Sequence, residues 1–472
     1  LLFDISKRDG LARLGKIKTK HGVLDTPTLL PVVNPKILTL SMDELKECGA
    51  QGLITNSYII YKNSELKEIA EDKGVHGLLN WDGPIMTDSG TFQSHVYGEI
   101  DMQPDEILNF QKKIGVDIGT VLDVFCEPET RFEEAKNELD ETQRRIEESD
   151  KNKGSIFLAA PIQGGRHLDL RLKAAQMASE TNADVFPIGG VVPLMEKNNF
   201  EKLAEVIIAS KKGLDISKPV HLFGCGHPML FALASFLGCD LFDSASYAKF
   251  ASRDSLMFTW GTKNLEELEE MPGEFSAAPG LTVKELKKME KKARQKIIAK
   301  HNLIVSFTEI RRVKQAIHDG LLWELVENRL RTSPALMKVF GILKREMGWI
   351  GEFEPAYRYK TPIKTGNESD LRPIFSKLTN SFKSGDMVHP YFGKVPNHLS
   401  ETYPFHPGLL QDDIEGWKMQ NWNLERVQTI LDYQFGKGNG EILTDGETEL
   451  VVSRKTKRLR NLLLDGEHVA SL

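Results

Sequence analysis

The sequence predicts an α/β protein: a (β/α)8 barrel of the TIM type, followed by smaller α+β domains and the opening of a small β-rich domain. Three observations carry this. Eight short apolar runs between residues 28 and 246 alternate with amphipathic segments. Nearly every run ends on a polar or small residue. The strand–helix rhythm then stops near residue 345. Alternating βα units imply a parallel sheet, and eight of them suggest closure into a barrel. The boundaries that follow are a catalytic barrel over 1–345, α+β chain over 346–438, and the β-rich opening over 439–472.

The eight runs read as buried parallel strands are Thr28–Val33, Gly52–Ser57, Pro84–Thr87, Ile118–Val124, Ile156–Ile162, Val185–Ile188, Val220–Phe223 and Asp240–Phe242. Helical patterns fall between them: Ser41–Cys48 with Ser41 as N-cap, Gln103–Lys113, Arg131–Ser149, Leu168–Ser179, Phe200–Ala209 and Pro228–Phe236. At or just after the strand ends stand Asn34, Asn56-Ser57, Asp88-Ser89-Gly90, Asp123, Gln163-Gly164, Gly189-Gly190, Gly226-His227 and Asp243-Ser244. Barrel enzymes place their chemistry on that face. Turn propensity accounts for some of these residues. It accounts poorly for Asp123 and Asp243, which lie inside apolar runs, where a carboxylate needs a partner or a task.

Composition narrows the class. The chain is 40% hydrophobic and 27% charged, as in an ordinary globular protein. No apolar run approaches the ~18–20 residues of a membrane span, and the first residues lack the basic-then-apolar pattern of a signal peptide. The four cysteines, Cys48, Cys126, Cys225 and Cys239, form no CxxC pair, so neither a disulfide framework nor a thiol zinc site is legible; Cys225 and Cys239 sit in apolar surroundings and read as buried thiols, which suggests a reducing, cytoplasmic setting. The net charge of −6 argues against nucleic-acid binding by bulk charge but allows local basic patches. Such patches occur at Lys284–Lys296, at Arg311, Arg312 and Lys314, and at Arg454, Lys455, Lys457, Arg458 and Arg460. The first also reads simply as a solvated helix face, because Glu285 and Glu290 intervene at helical spacing.

Asp88, at the end of the third strand, and Asp243, at the end of the eighth, would point toward one mouth. Two carboxylates flanking a glycosidic bond suit displacement through a covalent glycosyl intermediate, one attacking the anomeric carbon while the other manages protons. Water hydrolysis, phosphate attack and base exchange remain open on that pattern alone.

Specific segments narrow this. Met86-Thr-Asp-Ser-Gly-Thr-Phe-Gln93, Ala160-Pro-Ile-Gln-Gly164, Phe186-Pro-Ile-Gly-Gly-Val-Val-Pro-Leu194, His221-Leu-Phe-Gly-Cys-Gly-His-Pro-Met229 and Gly238-Cys-Asp-Leu-Phe-Asp-Ser-Ala-Ser-Tyr247 occur in order. They continue through His301-Asn-Leu, Val313-Lys-Gln-Ala-Ile317 and Leu399-Ser-Glu-Thr-Tyr-Pro-Phe405 to Asp432-Tyr-Gln-Phe-Gly436. The chain resembles the archaeal tRNA-guanine transglycosylases over nearly its whole length. The resemblance implies a cytoplasmic enzyme, a homodimer, that replaces guanine at position 15 of tRNA by 7-cyano-7-deazaguanine, the first step toward archaeosine. By the same resemblance Asp243 is the nucleophile and Asp88 the general acid/base. Asp123 and Gln163 bind the edge of the base, Gly190 offers it backbone groups, Ser89 belongs to the same substrate-binding set, and Phe92 stacks on the base. A purine-like base presents an N–H and amino pair that a carboxylate can accept together, and a carbonyl that needs a donor such as Gln163.

One departure stands out. The family holds a structural zinc on three cysteines and a histidine in a segment matching 272–301. Here Gly273, Phe275 and Ala278 occupy the cysteine positions and only His301 remains. One imidazole cannot make a tetrahedral site. The expectation is a protein with no stoichiometric zinc and no cofactor, a loop packed through Phe275, and His301 as a core residue. The loss admits a zinc-less paralogue acting in archaeosine synthesis, or a non-catalytic tRNA-binding subunit. Intact motifs around Asp88 and Asp243 favour the enzyme.

After residue 345 the chain is irregular or mixed α/β up to a helix at Leu424–Tyr433. Alternating strands follow at Glu441-Ile-Leu, Glu449–Ser453 and Asn461–Asp465, which resemble the opening of a PUA domain, an RNA-binding fold. Too little chain follows Gly440 to close such a domain, so the expectation is that it continues past Leu472 or is completed by a separate chain. The basic residues from Arg454 to Arg460 would then face tRNA.

Overall fold

A computed structural model describes residues 2–91, 102–273, 275–354, 367–373, 440–444 and 449–453. The chain forms two compact units. The first comprises Leu1–Lys7, Ala12–Gln315 and Asn328–Ile342; the second comprises Arg8–Leu11, Ala316–Glu327 and Leu343–Leu472.

The first unit is the expected barrel. An antiparallel sheet of β1 (Leu2–Asp9), β2 (Ala12–Thr19) and β3 (Gly22–Thr26) opens it. The eight parallel strands follow: β4 (Thr28–Val33), β5 (Leu53–Asn56), β6 (Ile85–Asp88), β7 (Ile118–Thr120), β8 (Phe157–Ala159), β9 (Phe186–Ile188), β10 (Val220–Leu222) and β11 (Leu241–Ser244). Their spatial order is β8-β7-β6-β5-β4-β11-β10-β9. Bridges from Ala159 to Val185 and from Ile162 to Ile188 join the two ends, so the sheet closes.

The strands are short, buried runs because both faces are covered: helices outside, packed side chains inside. Leu30, Ile54, Met86, Ile118, Ala159, Val185 and Leu241 form the interior. Ile17 and Leu24 from the β2–β3 hairpin join them, so the hairpin plugs the barrel from its N-terminal end.

The helices lie close to their expected positions. Ser41 caps Met42–Cys48 in a capping box with Glu44, and Gly49, in the left-handed region, ends it. Leu168–Ser179 and Pro228–Phe236 have the bounds read from sequence. The hairpin of β12 (Ser255–Phe258) and β13 (Gly261–Asn264) and the helix Lys291–Asp319 follow the barrel.

Pairing explains part of the basic stretch at 284–296. Arg294 reaches Asp254 at 2.6 Å, Lys296 reaches Glu44 at 2.8 Å, and Lys287 donates to the Leu268 carbonyl at 3.1 Å. Lys314 is largely buried and donates to the Asp25 carbonyl at 2.6 Å; burial pulls its pKa down to about 8. Lys284, Lys288, Lys291 and Lys292 of the 284–296 stretch are exposed.

In the second unit, Asp9 accepts from the Leu322 N–H at 2.9 Å and Arg372 pairs with Glu324 at 2.8 Å. β14 (Gly440–Thr444) and β15 (Glu449–Ser453) pair antiparallel, as the alternation suggested. The expected helix at Leu424–Tyr433 and strand at Asn461–Asp465 lie outside the described residues. Among the described residues no helix is long and apolar enough to cross a membrane.

Candidate active site

The C-terminal ends of the barrel strands gather three carboxylates. Asp88 closes β6, held across from Asn56 of β5 by sheet register. The Asn56 side-chain amide donates to Asp88 Oδ2 at 2.9 Å, and the Gly90 N–H donates to Oδ1 at 3.3 Å. Burial raises the Asp88 pKa to about 7; the nearby negative charges of Asp123 and Asp243 push it the same way, and the two hydrogen bonds oppose them. A carboxyl group poised at that value can give and take a proton near neutral pH. Ser89 is buried, and its hydroxyl bonds Thr91 at 3.1 Å rather than facing open space.

Asp123 lies beyond its strand, not inside it. The sequence suggested a strand over Ile118–Val124, but β7 ends at Thr120. The Gln111 side chain takes over there, accepting from the Thr120 N–H at 2.8 Å and donating to the Thr120 carbonyl at 3.0 Å. Past that point side chains hold the backbone: Val124 N–H donates to Thr142 Oγ1 at 2.9 Å, and Arg145 donates to the Leu122 carbonyl at 3.0 Å. Asp123 is thereby turned into the buried mouth, where burial raises its pKa against a hydrogen bond from Gln163.

Gln163 Nε2 donates to Asp123 Oδ2 at 2.5 Å, which brings these two candidate residues together. Gln163 Oε1 is buried and finds no hydrogen-bond partner among the described residues. Such an atom is costly unless a ligand satisfies it. Gly190 adjoins them with φ of 67°, and a side chain there would collide with the Cys126 carbonyl at 2.6 Å and Gln163 Oε1 at 2.9 Å. Only glycine leaves that backbone open to a flat ligand. Sequence reading missed Arg171, which shapes this wall. Fully buried, it donates to the carbonyls of Gly165 at 2.9 Å, Ile162 at 2.7 Å and Gly189 at 2.9 Å. A charged residue on the apolar side of Leu168–Ser179 was the available signal.

Asp243 sits in β11, paired with Leu30 of β4. Its Oδ1 accepts from the Gly224 N–H at 2.9 Å. His221, fully buried in β10, brings Nε2 to 2.9 Å from the same oxygen, without hydrogen-bond alignment. His221 is a second residue that sequence reading passed over; a lone polar residue inside Val220-His-Leu222 was the clue.

Phe92 and the basic residues Arg454, Lys455, Lys457, Arg458 and Arg460 lie outside the described residues. At the segment matching the family's zinc site, Gly273, Phe275 and Ala278 supply no thiol. His301 is fully buried, with Nε2 at 3.0 Å from the Met257 carbonyl and the Phe275 ring centred 5.0 Å from its own. Burial pulls its pKa down to about 4. The Phe258 and Phe275 rings flank this imidazole and none of the other three positions offers a ligand atom, so these residues do not fit a tetrahedral zinc. All four cysteines are buried and unbridged.

Fold and site together define a barrel enzyme with three carboxylates grouped at the C-terminal mouth of a parallel sheet. The profile of the family described as "Queuine tRNA-ribosyltransferase" matches residues 8–335, and that described as "Patch-forming domain C2 of tRNA-guanine transglycosylase" matches 425–472. A tRNA-guanine(15) transglycosylase from Pyrococcus furiosus is 42% identical over 480 residues, covering 100% of this chain and 81% of that protein. Proteins of the same name are 44% identical over 428 residues in Methanosarcina acetivorans (86% and 87% covered) and 42% over 424 in Methanocaldococcus jannaschii (88% and 65%). The chain belongs to the tRNA-guanine transglycosylase family, and it is a pentosyltransferase.

Proposed function

We propose that this enzyme exchanges guanine at position 15 of tRNA for 7-cyano-7-deazaguanine through a covalent aspartyl-ribose intermediate, the first step of archaeosine formation. The names of its relatives support the position. The observation that carries the chemistry is the contrast at the mouth: Asp88 is poised near neutral pH, while Asp243 is fixed by the Gly224 N–H with its other oxygen left for attack. The flipped guanosine enters with its base against Asp123, Gln163 and Gly190. Asp243 attacks the ribose C1′, and the bond from C1′ to the base breaks. Asp88 gives its proton to the departing guanine. The incoming base then surrenders its N9 proton to Asp88, N9 attacks C1′, and the ester to Asp243 breaks, restoring both carboxyl groups. Gln163, free to leave Asp123 once a base arrives, can answer the base carbonyl with its amide N–H.

The family's zinc has no place in this scheme, because Gly273, Phe275, Ala278 and the buried His301 cannot hold it. We further assign the enzyme to the cytoplasm, and to a homodimer in line with the description of its 425–472 segment. The test is incorporation of labelled guanine into tRNA. Asp243→Asn keeps shape and removes the nucleophile, so exchange should fall by several orders of magnitude while tRNA affinity persists through phosphate contacts. Exchange at the normal rate in that variant would refute the assignment.

A further inference from the structure

The opposite end of the barrel carries a second group of ionisable side chains. Asp117, Asp184 and Asp240 share one arrangement there. Each precedes a barrel strand and accepts a hydrogen bond from a backbone N–H at the start of a neighbouring strand: Ile85 at 2.9 Å, Leu158 at 3.0 Å and Val220 at 2.8 Å. Each buried carboxylate needs a counter-charge. Asp240 has Arg13, and Asp184 has Lys153. Asp117 faces two imidazoles instead, with His21 Nδ1 at 3.0 Å from Oδ1 and His76 Nε2 at 3.1 Å from Oδ2. The two rings stack, with centroids 3.7 Å apart and planes 33° from parallel. Both rings thus aim a nitrogen at the one buried carboxylate, one at each oxygen.

The geometry points to a divalent transition-metal site formed by His21 Nδ1, His76 Nε2 and the Asp117 carboxylate. The three donor atoms lie within 4.8 Å of one another. Tetrahedral ligands bonded at ~2.0–2.1 Å sit about 3.4 Å apart, close to the two histidine–carboxylate separations here. Two imidazoles and a carboxylate suit zinc, cobalt or nickel better than calcium or magnesium. Binding takes a lone pair from His21 Nδ1 and from His76 Nε2, so each neutral ring then carries its single proton on the other nitrogen, His21 Nε2 and His76 Nδ1.

The ligands are also held in advance. Asp117 is fixed by the Ile85 N–H and by the His21 backbone N–H at 3.2 Å. His76 follows Gly74, whose φ of 72° breaks the helix of Ser64–Leu79 and turns it toward the barrel floor. His21 and His76 remain 27% and 17% exposed, which leaves the ion a way in and a fourth position for water. The site joins the plugging hairpin, a helix and the start of β7, so its role is bracing rather than chemistry. It departs from the metal-free expectation because its ligands are far apart in the chain and meet only at the barrel floor.

The test uses tag-free, metal-stripped full-length protein titrated with zinc against a competing chelator and with cobalt followed by visible absorption. The wild type should bind one equivalent and show the d–d bands of four-coordinate cobalt. His21→Ala and His76→Ala should each weaken binding at least tenfold and lose those bands, while keeping the circular-dichroism spectrum and base exchange. Should either alanine variant fail to fold, His21→Gln or His76→Gln serves in its place. No stoichiometric binding by the wild type would overturn the site. So would equal binding by the variants, which would put the ion elsewhere.

Discussion

Asp88 shows how one residue can be tuned by position. Its carboxyl group holds a proton in the folded chain up to about pH 7, whereas an aspartate in an unfolded chain ionises near ~3.9. The folded state binds this proton more tightly. The stability this contributes is complete below about pH 4 and is lost as pH rises through about 7. Asp88→Asn is neutral throughout, so its melting temperature relative to wild type should climb between about pH 4 and pH 7 and level off above that. A constant difference in melting temperature would mean that Asp88 ionises normally. In the mechanism we propose, the same proton is given to the departing base, so wild-type kcat/KM for exchange should decline on the alkaline side with an apparent pKa near 7.

At the level of elements, the barrel floor is held by charges that the active site does not use. Arg13, from the N-terminal sheet, is almost fully buried; it pairs with Asp240 and donates to the carbonyls of Ile216 at 2.6 Å and Lys218 at 3.0 Å. Arg13→Leu would leave Asp240 as an uncompensated buried charge and should cost about 3–5 kcal/mol in urea unfolding. A cost below about 1 kcal/mol would mean that water reaches this pair. The loop near Phe275 makes a different prediction. With His301 sealed between aromatic rings, this segment should hold no zinc. Elemental analysis of tag-free His76→Ala protein, in which the proposed floor site is disabled, should find well under one zinc per chain. One tightly held equivalent would show that the segment binds metal despite its missing thiols.

For the whole molecule the open question is how an acidic chain of net charge −6 holds tRNA. In the basic stretch around residues 284–296, Arg294, Lys296 and Lys287 are engaged by Asp254, Glu44 and the Leu268 carbonyl, while Lys284, Lys288, Lys291 and Lys292 are exposed. We take the cluster from Arg454 to Arg460, within the matched 425–472 segment, as our candidate for phosphate contact. Neutralising Arg458 and Arg460 should reduce the salt dependence of tRNA affinity by about one unit of slope per charge. An unchanged slope would restrict these residues to keeping the segment soluble.

All eight barrel strands, with the capped helix after Ser41 and the helices Leu168–Ser179 and Pro228–Phe236, were legible in the sequence, because local apolar periodicity and capping specify them directly. So were Asp88, Asp123, Gln163 and Asp243, since a polar residue ending an apolar run is a local signal. What only the tertiary structure decided lies between distant residues. Whether β7 stops at Thr120 depends on Gln111, whose side chain competes for the backbone from a neighbouring helix. That His221 approaches Asp243, that Arg171 braces Gly189, and that His21, His76 and Asp117 converge all depend on barrel closure. Periodicity reports which face of an element is buried, because that is a property of neighbours in the chain. Which buried groups face each other, and so which protons and charges are shared, is set by strand register and closure, and no local pattern encodes it.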